Sequence, residues 1–354
     1  MSYAGNNILD TPLGSCDSGA VDEKGSPMRA PKTLKEAVEY FADPERAFVY
    51  AVNWRWPGGA VVCPRCGGRD HSFVRTRILW FCKSCKKQFT VKVGTIFEDS
   101  PIPLDKWMIA MWATVNCKNG ISSHELARMI GVTQKSAWFM LHRIRLALQD
   151  TPGFGTMTKL GGEGSEIEVD ETFIGAKPHN MHKERKARYE QRRIATGNAK
   201  SIVQGILDRN MRQVRAMVVP DIKRDTLQNE VLKNVKYGTS VYTDNAVAYD
   251  LLHWRYIHGI VNHAEQYVKG RVHTNGLENF WSLVKRTLNG TYVSVEPFHL
   301  FRYIDEQVFR YNNRATKDNK LTDCDRFVLA FSRVAGKRLT YQELTGKTGS
   351  EAIA

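Results

Sequence analysis

The chain has 354 residues, 42% hydrophobic and 25% charged, with a formal net charge of +14. That length suits two or three domains with real cores, and the balance excludes a disordered, collagen-like or fibrous chain. The charge is concentrated: segments 60–93, 120–148 and 183–200 carry net +7, +3 and +5, the footprint of a nucleic-acid partner rather than a membrane, since no basic amphipathic helix or run of about 18 apolar residues accompanies them.

Residues 1–31 hold Gly, Ser, Asp and Asn without an apolar stretch, and read as a flexible tail rather than a secretory signal. In region 32–59, Leu34, Ala37, Val38 and Phe41 share one helical face, which predicts a helix over 33–52, and Trp56-Pro-Gly-Gly ends it. Region 60–95 carries Cys63-Pro-Arg-Cys66 and Cys82-Lys-Ser-Cys85, with 15 residues between the pairs. This is zinc-ribbon spacing: two residues between thiolates let one tight turn present both sulfurs to a tetrahedral ion. Gly67-Gly68 supplies the backbone freedom such a turn needs, and short strands are expected at 72–77, 78–81 and 89–91. Four thiolates leave no open coordination position, so the zinc is structural. Redox pairs or disulfides are the competing reading. Cys16, Cys117 and Cys324 show no pairing by spacing, which favours a reducing compartment.

Region 103–150 opens with an apolar helix over 104–117 (Trp107, Met108, Met111, Trp112, Val115), and 121–149 reads as helix-turn-helix. Ser122-x-x-Glu125 is a capping box for the first helix, whose inner face is Leu126, Ala127 and Ile130. Gly131-Val132-Thr133 forms the turn, and Ala137, Trp138, Leu141 and Ile144 form the inner face of the second helix. Gln134 and Lys135 then sit where a recognition helix meets base edges. A helical hairpin that never touches DNA shares this pattern, but the adjacent basic ribbon favours DNA.

Residues 151–165 are Gly-rich and read as a linker. Beyond it, strands are expected at 166–174, 200–208, 213–219, 239–243 and 256–261, and helices at 221–235, 246–252 and 275–288. This order suggests one mixed-sheet α/β domain over 166–315, followed by a helical tail over 316–354. The segment 178–199, with Arg192 and Arg193, interrupts the first hairpin and reads as a mobile basic loop.

Three acids stand out. Asp170 lies on the first strand of that domain, Asp244 closes the fourth, and Glu278 lies on the late helix beside its buried stripe of Leu277, Phe280, Trp281, Val284 and Leu288. Carboxylates gathered from distant elements repel one another, and a divalent cation gives a reason to gather them. Mg²⁺ prefers hard oxygen ligands, and two such ions serve phosphoryl transfer. Simpler roles compete: Asp244-Asn245 as a turn, Asn275-x-x-Glu278 as a helix cap with its reciprocal carboxylate, and Glu168 or Glu171 in place of Asp170.

The chain resembles bacterial insertion-sequence DDE transposases that carry an N-terminal zinc ribbon. The matching residues are Trp56-Pro-Gly-Gly before Cys63-Pro-x-Cys66-Gly, then Val169-Asp-Glu-Thr-Phe-Ile-Gly175 and Tyr242-Thr-Asp244. Last comes the most specific motif, His273-Thr-Asn-Gly-x-Glu278-x-Phe-Trp281-x-x-x-Lys285-Arg286. The resemblance implies a ribonuclease-H-like catalytic domain. It implies cleavage, dependent on Mg²⁺ or Mn²⁺, at the inverted-repeat ends of a mobile element, then attack of the freed 3′-OH on target DNA. Asp170 and Asp244 carry over as the first two acids and metal ligands. Glu278, 34 residues after Asp244, carries over as the third, because a carboxylate binds a cation better than an amide does. Relatives with Asn as third member point instead to Asn275. Lys285 and Arg286 would face DNA phosphates. The partners implied are double-stranded DNA, as element ends and target, and further copies of the chain on that DNA, at the bacterial nucleoid in the cytoplasm, with no membrane partner. Two alternatives remain: a DNA-binding regulator with an inactive catalytic domain, and a structure-selective nuclease without strand transfer.

Overall fold

The computed structural model describes residues 31–149, 158–175, 181–196, 199–244, 247–261, 271–317 and 319–346. The chain divides into two compact units. One joins the N-terminal part, up to Leu148, with the segment from Ala315 onward; the other is Gln149–Arg314.

The first unit begins with α1 (Leu34–Phe41) and α2 (Pro44–Arg55), where the sequence predicts one helix over 33–52. The break follows from Asp43-Pro44. Proline disfavours a helical residue before it and suits the first position of a new helix, and the Asp43 carboxylate caps α2 by accepting from the Glu45 N–H at 2.9 Å. Next come β1 (His71–Val74), β2 (Leu79–Cys82) and β3 (Gln88–Phe89), an antiparallel sheet in that order. Its core is aromatic: Trp80 stacks on Phe48 of α2 at 5.9 Å between ring centroids and on Phe89 at 5.7 Å. Then follow α3 (Leu104–Asn116), α4 (Ser123–Ile130) and α5 (Gln134–Leu148).

The capping box of Ser122 and Glu125 forms, and Gly131 ends α4 at φ 63°. On α5, Ala137, Leu141 and Ile144 are buried as expected. Trp138 is only half-buried, edge-on to His142, and Met140 takes the core position instead. The second half of α5 is buried apart from the half-buried Leu146, Arg143 and Arg145 included.

The second unit starts inside the expected linker. Leu160 is buried in a cluster with Ile167, Val231 and Val241, and bridges to Val235. The Gly161 N–H donates to the Asp208 carboxylate at 3.0 Å. Residues 158–165 are therefore packed, because a buried leucine and a paired backbone tie them down; 151–157 lie outside the described residues.

The elements that follow are β4 (Glu166–Ile174), α6 (Lys183–Thr196), β5 (Ser201–Asp208), β6 (Gln213–Val219), α7 (Arg224–Asn234), β7 (Ser240–Asp244), β8 (Ile257–Val261), α8 (Asn275–Thr287) and α9 (Leu300–Asn312). The stretch expected as a mobile loop is thus helical over 183–196, rich in Lys, Glu, Arg, Ala and Gln and free of Gly and Pro. The sheet order is β6-β5-β4-β7-β8. β6, β5 and β4 are antiparallel neighbours, while β4–β7 and β7–β8 are parallel. Alternation divides the faces. Ile167, Val169, Ile202 and Ile206 pack under α7. Val203, Leu207 and Val214 pack under α8 and α9.

The last elements, α10 (Asp323–Phe331) and α11 (Tyr341–Leu344), return to the first unit. Residues 316–354 are therefore not a separate tail. Phe327 lies 5.4 Å from both Phe41 and Trp112, and Phe331 lies 5.0 Å from Trp54, so α10 completes the aromatic core that α1–α3 leave open. Among the described residues no helix is long and apolar enough to cross a membrane.

Candidate functional site

The four cysteines converge as their spacing predicts. Their sulfurs all lie within 4.8 Å of one another, with Cys63–Cys85 at 3.8 Å and Cys66–Cys82 at 3.6 Å. Sulfurs bound tetrahedrally at about 2.3 Å from zinc stand about 3.8 Å apart, so the quartet fits a structural zinc ion. The first knuckle is built by backbone bonds, Gly67 N–H to Cys63 O and Cys63 N–H to Gly68 O, with Gly67 at φ 74°. The Cys85 N–H directed at the Cys82 sulfur draws that thiol down to about 6, toward the thiolate zinc takes.

The acids come together through the second unit's sheet. Glu168 of β4 stands opposite Tyr242 of β7 in a parallel ladder. The ladder ends at this pair; Asp170 and Asp244 each lie two residues beyond it on their own strands, on the same face. Helix α8 lies across that face on two side-chain bonds four residues apart. Glu168 Oε2 accepts from the Leu277 N–H at 2.9 Å, and Asp170 Oδ2 accepts from the Trp281 indole N–H at 2.9 Å. Glu278 follows Leu277, exposed, at the same edge. Burial lifts the Asp170 carboxyl to about 6 against the Trp281 bond that lowers it, and the charges of Asp244 and Glu278 add to the rise.

Glu168 and Glu171 are separated from Asp170 by their surroundings. Glu168 is buried and bonded to Arg209. Glu171 alternates to the α7 face. Burial first, then the charges of Asp170 and Asp244, push its carboxyl up to about 8. The three acids are hard oxygen donors of the kind Mg²⁺ prefers. Among the described residues the cysteine quartet is the group of three or more potential ligands that meets within 4.8 Å; the acids form a more open set.

The cap expected from Asn275 does not form. Thr274 is the N-cap and makes no side-chain cap bond; Asn275 is the first helical residue, exposed beside Glu278. The Glu168 carboxylate, arriving from β4, takes over the capping. Two glycines make room for this contact. A Cβ on Gly205, opposite Asp170, would meet the Trp281 ring at 2.6 Å, and one on Gly276 would come to 2.8 Å from Glu168 Oε2. Sequence reasoning missed Glu168, Arg209, Gly205 and Gly276 as builders of the site. Only the lone glycine inside the apolar β5 pattern carried a signal, since such a glycine marks a close approach.

The residues predicted to meet DNA are scattered in character. Gln134 and Lys135 are exposed at the start of α5. Gln134 donates to Ser123 Oγ at 2.8 Å, and the Lys135 ammonium lies 4.8 Å over the Tyr341 ring. Arg193 is exposed and paired with Glu190; the Arg192 side chain lies outside the described residues. Lys285 and Arg286 are exposed in the last turn of α8. The basic island 120–148 is weaker than its count. The Arg143 guanidinium is spent on the carbonyls of Ile96, Glu98 and Leu339 and Arg145 is fully buried, leaving Arg128 and Lys135 at the surface.

Residues 159–312 match the ISXO2-like transposase domain, and residues 42–88 match the transposase zinc-ribbon domain. The first match holds all three acids and the second all four cysteines. An uncharacterized protein in transposable element ISH50 of Halobacterium salinarum is 26% identical over 266 residues, which cover 71% of this chain and 85% of that relative.

Proposed function

Since the chain belongs to the insertion-sequence transposases with an N-terminal zinc ribbon, we propose that it cuts the inverted-repeat ends of its element and joins them to target DNA by two-metal-ion phosphoryl transfer. Asp170, Asp244 and Glu278 are the acids in this reading, on a ribonuclease-H-like domain. One observation supports it: α8 is bonded to β4 at Glu168 and at Asp170 itself, and the charges of Asp244 and Glu278 both raise the Asp170 carboxyl.

Mg²⁺ or Mn²⁺ held there would activate the attacking oxygen and stabilise the leaving one. The three carboxylates would hold that charge in place, where it would offset their repulsion of the scissile phosphate. The Trp281 N–H fixes one Asp170 oxygen and so orients the carboxylate. Lys285 and Arg286 extend the same helix toward the DNA backbone. In the first step water attacks the phosphodiester at the element end and a 3′-OH leaves. In the second, that 3′-OH attacks a target phosphodiester; one P–O bond forms as one breaks, so no covalent protein intermediate and no nucleotide cofactor are required.

The ribbon and the α4–α5 hairpin supply end recognition, in the bacterial cytoplasm where the chromosomal substrate lies. Two ends need two catalytic units, hence a homo-oligomer on DNA. The test is nicking and joining of labelled duplexes cut from the DNA flanking the coding region, in Mg²⁺, by the wild type and by Asp170→Asn, Asp244→Asn and Glu278→Gln. Metal-dependent nicking lost in all three supports the reading. Binding without nicking by the wild type indicates a regulator, and nicking without joined products a nuclease.

A further inference from the structure

Arg209, in the turn between β5 and β6, uses its whole guanidinium fork. Nε donates to Glu168 Oε1 at 2.6 Å, and one terminal nitrogen donates to Glu166 Oε2 at 3.2 Å and to the Arg271 carbonyl at 2.7 Å. The other donates to His273 Nδ1 at 2.7 Å and to the His273 carbonyl at 2.6 Å. The fork also lies 4.8 Å over the Tyr242 ring, whose hydroxyl donates to Glu166. Glu168, 1% exposed, completes the set by accepting from the Leu277 N–H at the start of α8.

These contacts touch the three chain segments that carry the acids, each a short fixed step away. Asp170 lies two residues beyond Glu168 and Asp244 two beyond Tyr242, each on the same face of its strand. Glu278 lies five residues beyond His273, in the first turn of α8. A slip of α8 by one residue against β4 would swing Glu278 by about 100° around the helix axis.

We propose that the Arg209–Glu168 pair is the positioning device for the third acid: it locks the first turn of α8 onto β4 and so sets how tightly the acids hold a divalent cation, without touching cation or DNA. The inference rests on the reading of Asp170, Asp244 and Glu278 as the acid centre. Stability alone is a poor account of the pair, because a buried ion pair is often no more stabilising than a neutral replacement. What an apolar pair lacks is direction. The carboxylate has one oxygen for the helix amide and one for the guanidinium, and the planar fork reaches both chain segments at once.

The experiment uses the full-length zinc-loaded chain and two readouts. One is the Mn²⁺ binding isotherm, followed by electron paramagnetic resonance without DNA; the other is the Mg²⁺ concentration giving half-maximal nicking of flanking DNA. Arg209→Lys and the doubly neutral Glu168→Gln/Arg209→Gln are expected to weaken Mn²⁺ binding by about tenfold or more, the usual cost of losing a residue that orients a metal ligand. The Mg²⁺ midpoint should rise by a similar factor, and saturating Mg²⁺ should restore most of the nicking. A purely structural role would lower nicking at every Mg²⁺ concentration and leave the midpoint unmoved. Folded variants with unchanged Mn²⁺ affinity and unchanged midpoint overturn the proposal. So does a double variant without a cooperative melt, since the pair would then be a stability element. Asp170→Asn separates the two layers: wild-type Mn²⁺ binding by that variant counts against the acid centre itself, whereas its loss beside normal clamp variants counts against the clamp alone.

Discussion

Glu278 and Asn275 differ in what their neighbours ask of them. Both are exposed on the first turn of α8, three residues apart on one side of the helix. The capping that would have explained Asn275 comes from Glu168, so Asn275→Ala should behave as an ordinary surface change within about 0.5 kcal/mol, not as a lost cap of about 1 kcal/mol. Glu278→Gln removes charge at nearly constant shape. Nicking should fall by orders of magnitude while DNA binding persists or tightens, because carboxylate–phosphate repulsion is relieved. Thermal melts and nicking of labelled flanking DNA check both. A folded Glu278→Gln that nicks normally, beside a folded and inactive Asn275→Ala, would move the third ligand to Asn275.

In the proposed function separate elements carry the affinity for DNA, and each should fail in its own way. In the ribbon, Cys63→Ser or Cys82→Ser opens a quartet whose sulfurs stand at zinc distance. The expected results are loss of about one equivalent of zinc per chain by metal analysis, weaker binding of flanking DNA, and an unchanged melt of the second unit. Wild-type protein purified without zinc would end the metal assignment. On α6, Arg193→Ala should flatten the dependence of log affinity on log salt by about 0.9 with sequence preference retained. Gln134→Ala with Lys135→Ala on α5 should do the reverse, eroding preference for the element ends. An intact preference in that variant would show that α5 is not the recognition helix.

At the scale of the whole chain, the first unit is assembled from both ends of the described sequence. Helix α10 fills its aromatic core, with Phe331 buried 5.4 Å from Tyr50 and 6.0 Å from Phe97. Phe331→Ala should therefore destabilise the first unit by about 3–5 kcal/mol, the usual cost of emptying a buried phenylalanine site. Denaturant melts followed by tryptophan fluorescence would detect it, and a loss near zero would mean that α10 is an accessory helix. The sequence pattern that reads 316–354 as a tail sees only local periodicity, and closure between positions more than 200 residues apart leaves no local trace.

The sequence by itself determined the parts whose physics is local. Ligand spacing fixed the zinc quartet, the Ser122–Glu125 box and Gly131 fixed the bounds of α4, and residue alternation fixed the strands that carry Asp170 and Asp244. Local patterns also misled where a second local rule was overlooked. Asp43-Pro44 split the first helix, and strong helix formers turned the basic loop into α6. Only the tertiary structure decided what surrounds each acid of β4. Asp170, Glu168 and Glu171 occupy one strand with similar chemistry. They are distinguished by what packs against each: the Trp281 indole, the Arg209 fork with the first turn of α8, and the buried α7 face. Those contacts join residues 41 to 111 positions apart, and their geometry depends on absent side chains at Gly205 and Gly276. Electrostatic role follows from burial and partners, and these exist only once the sheet and α8 have closed on one another.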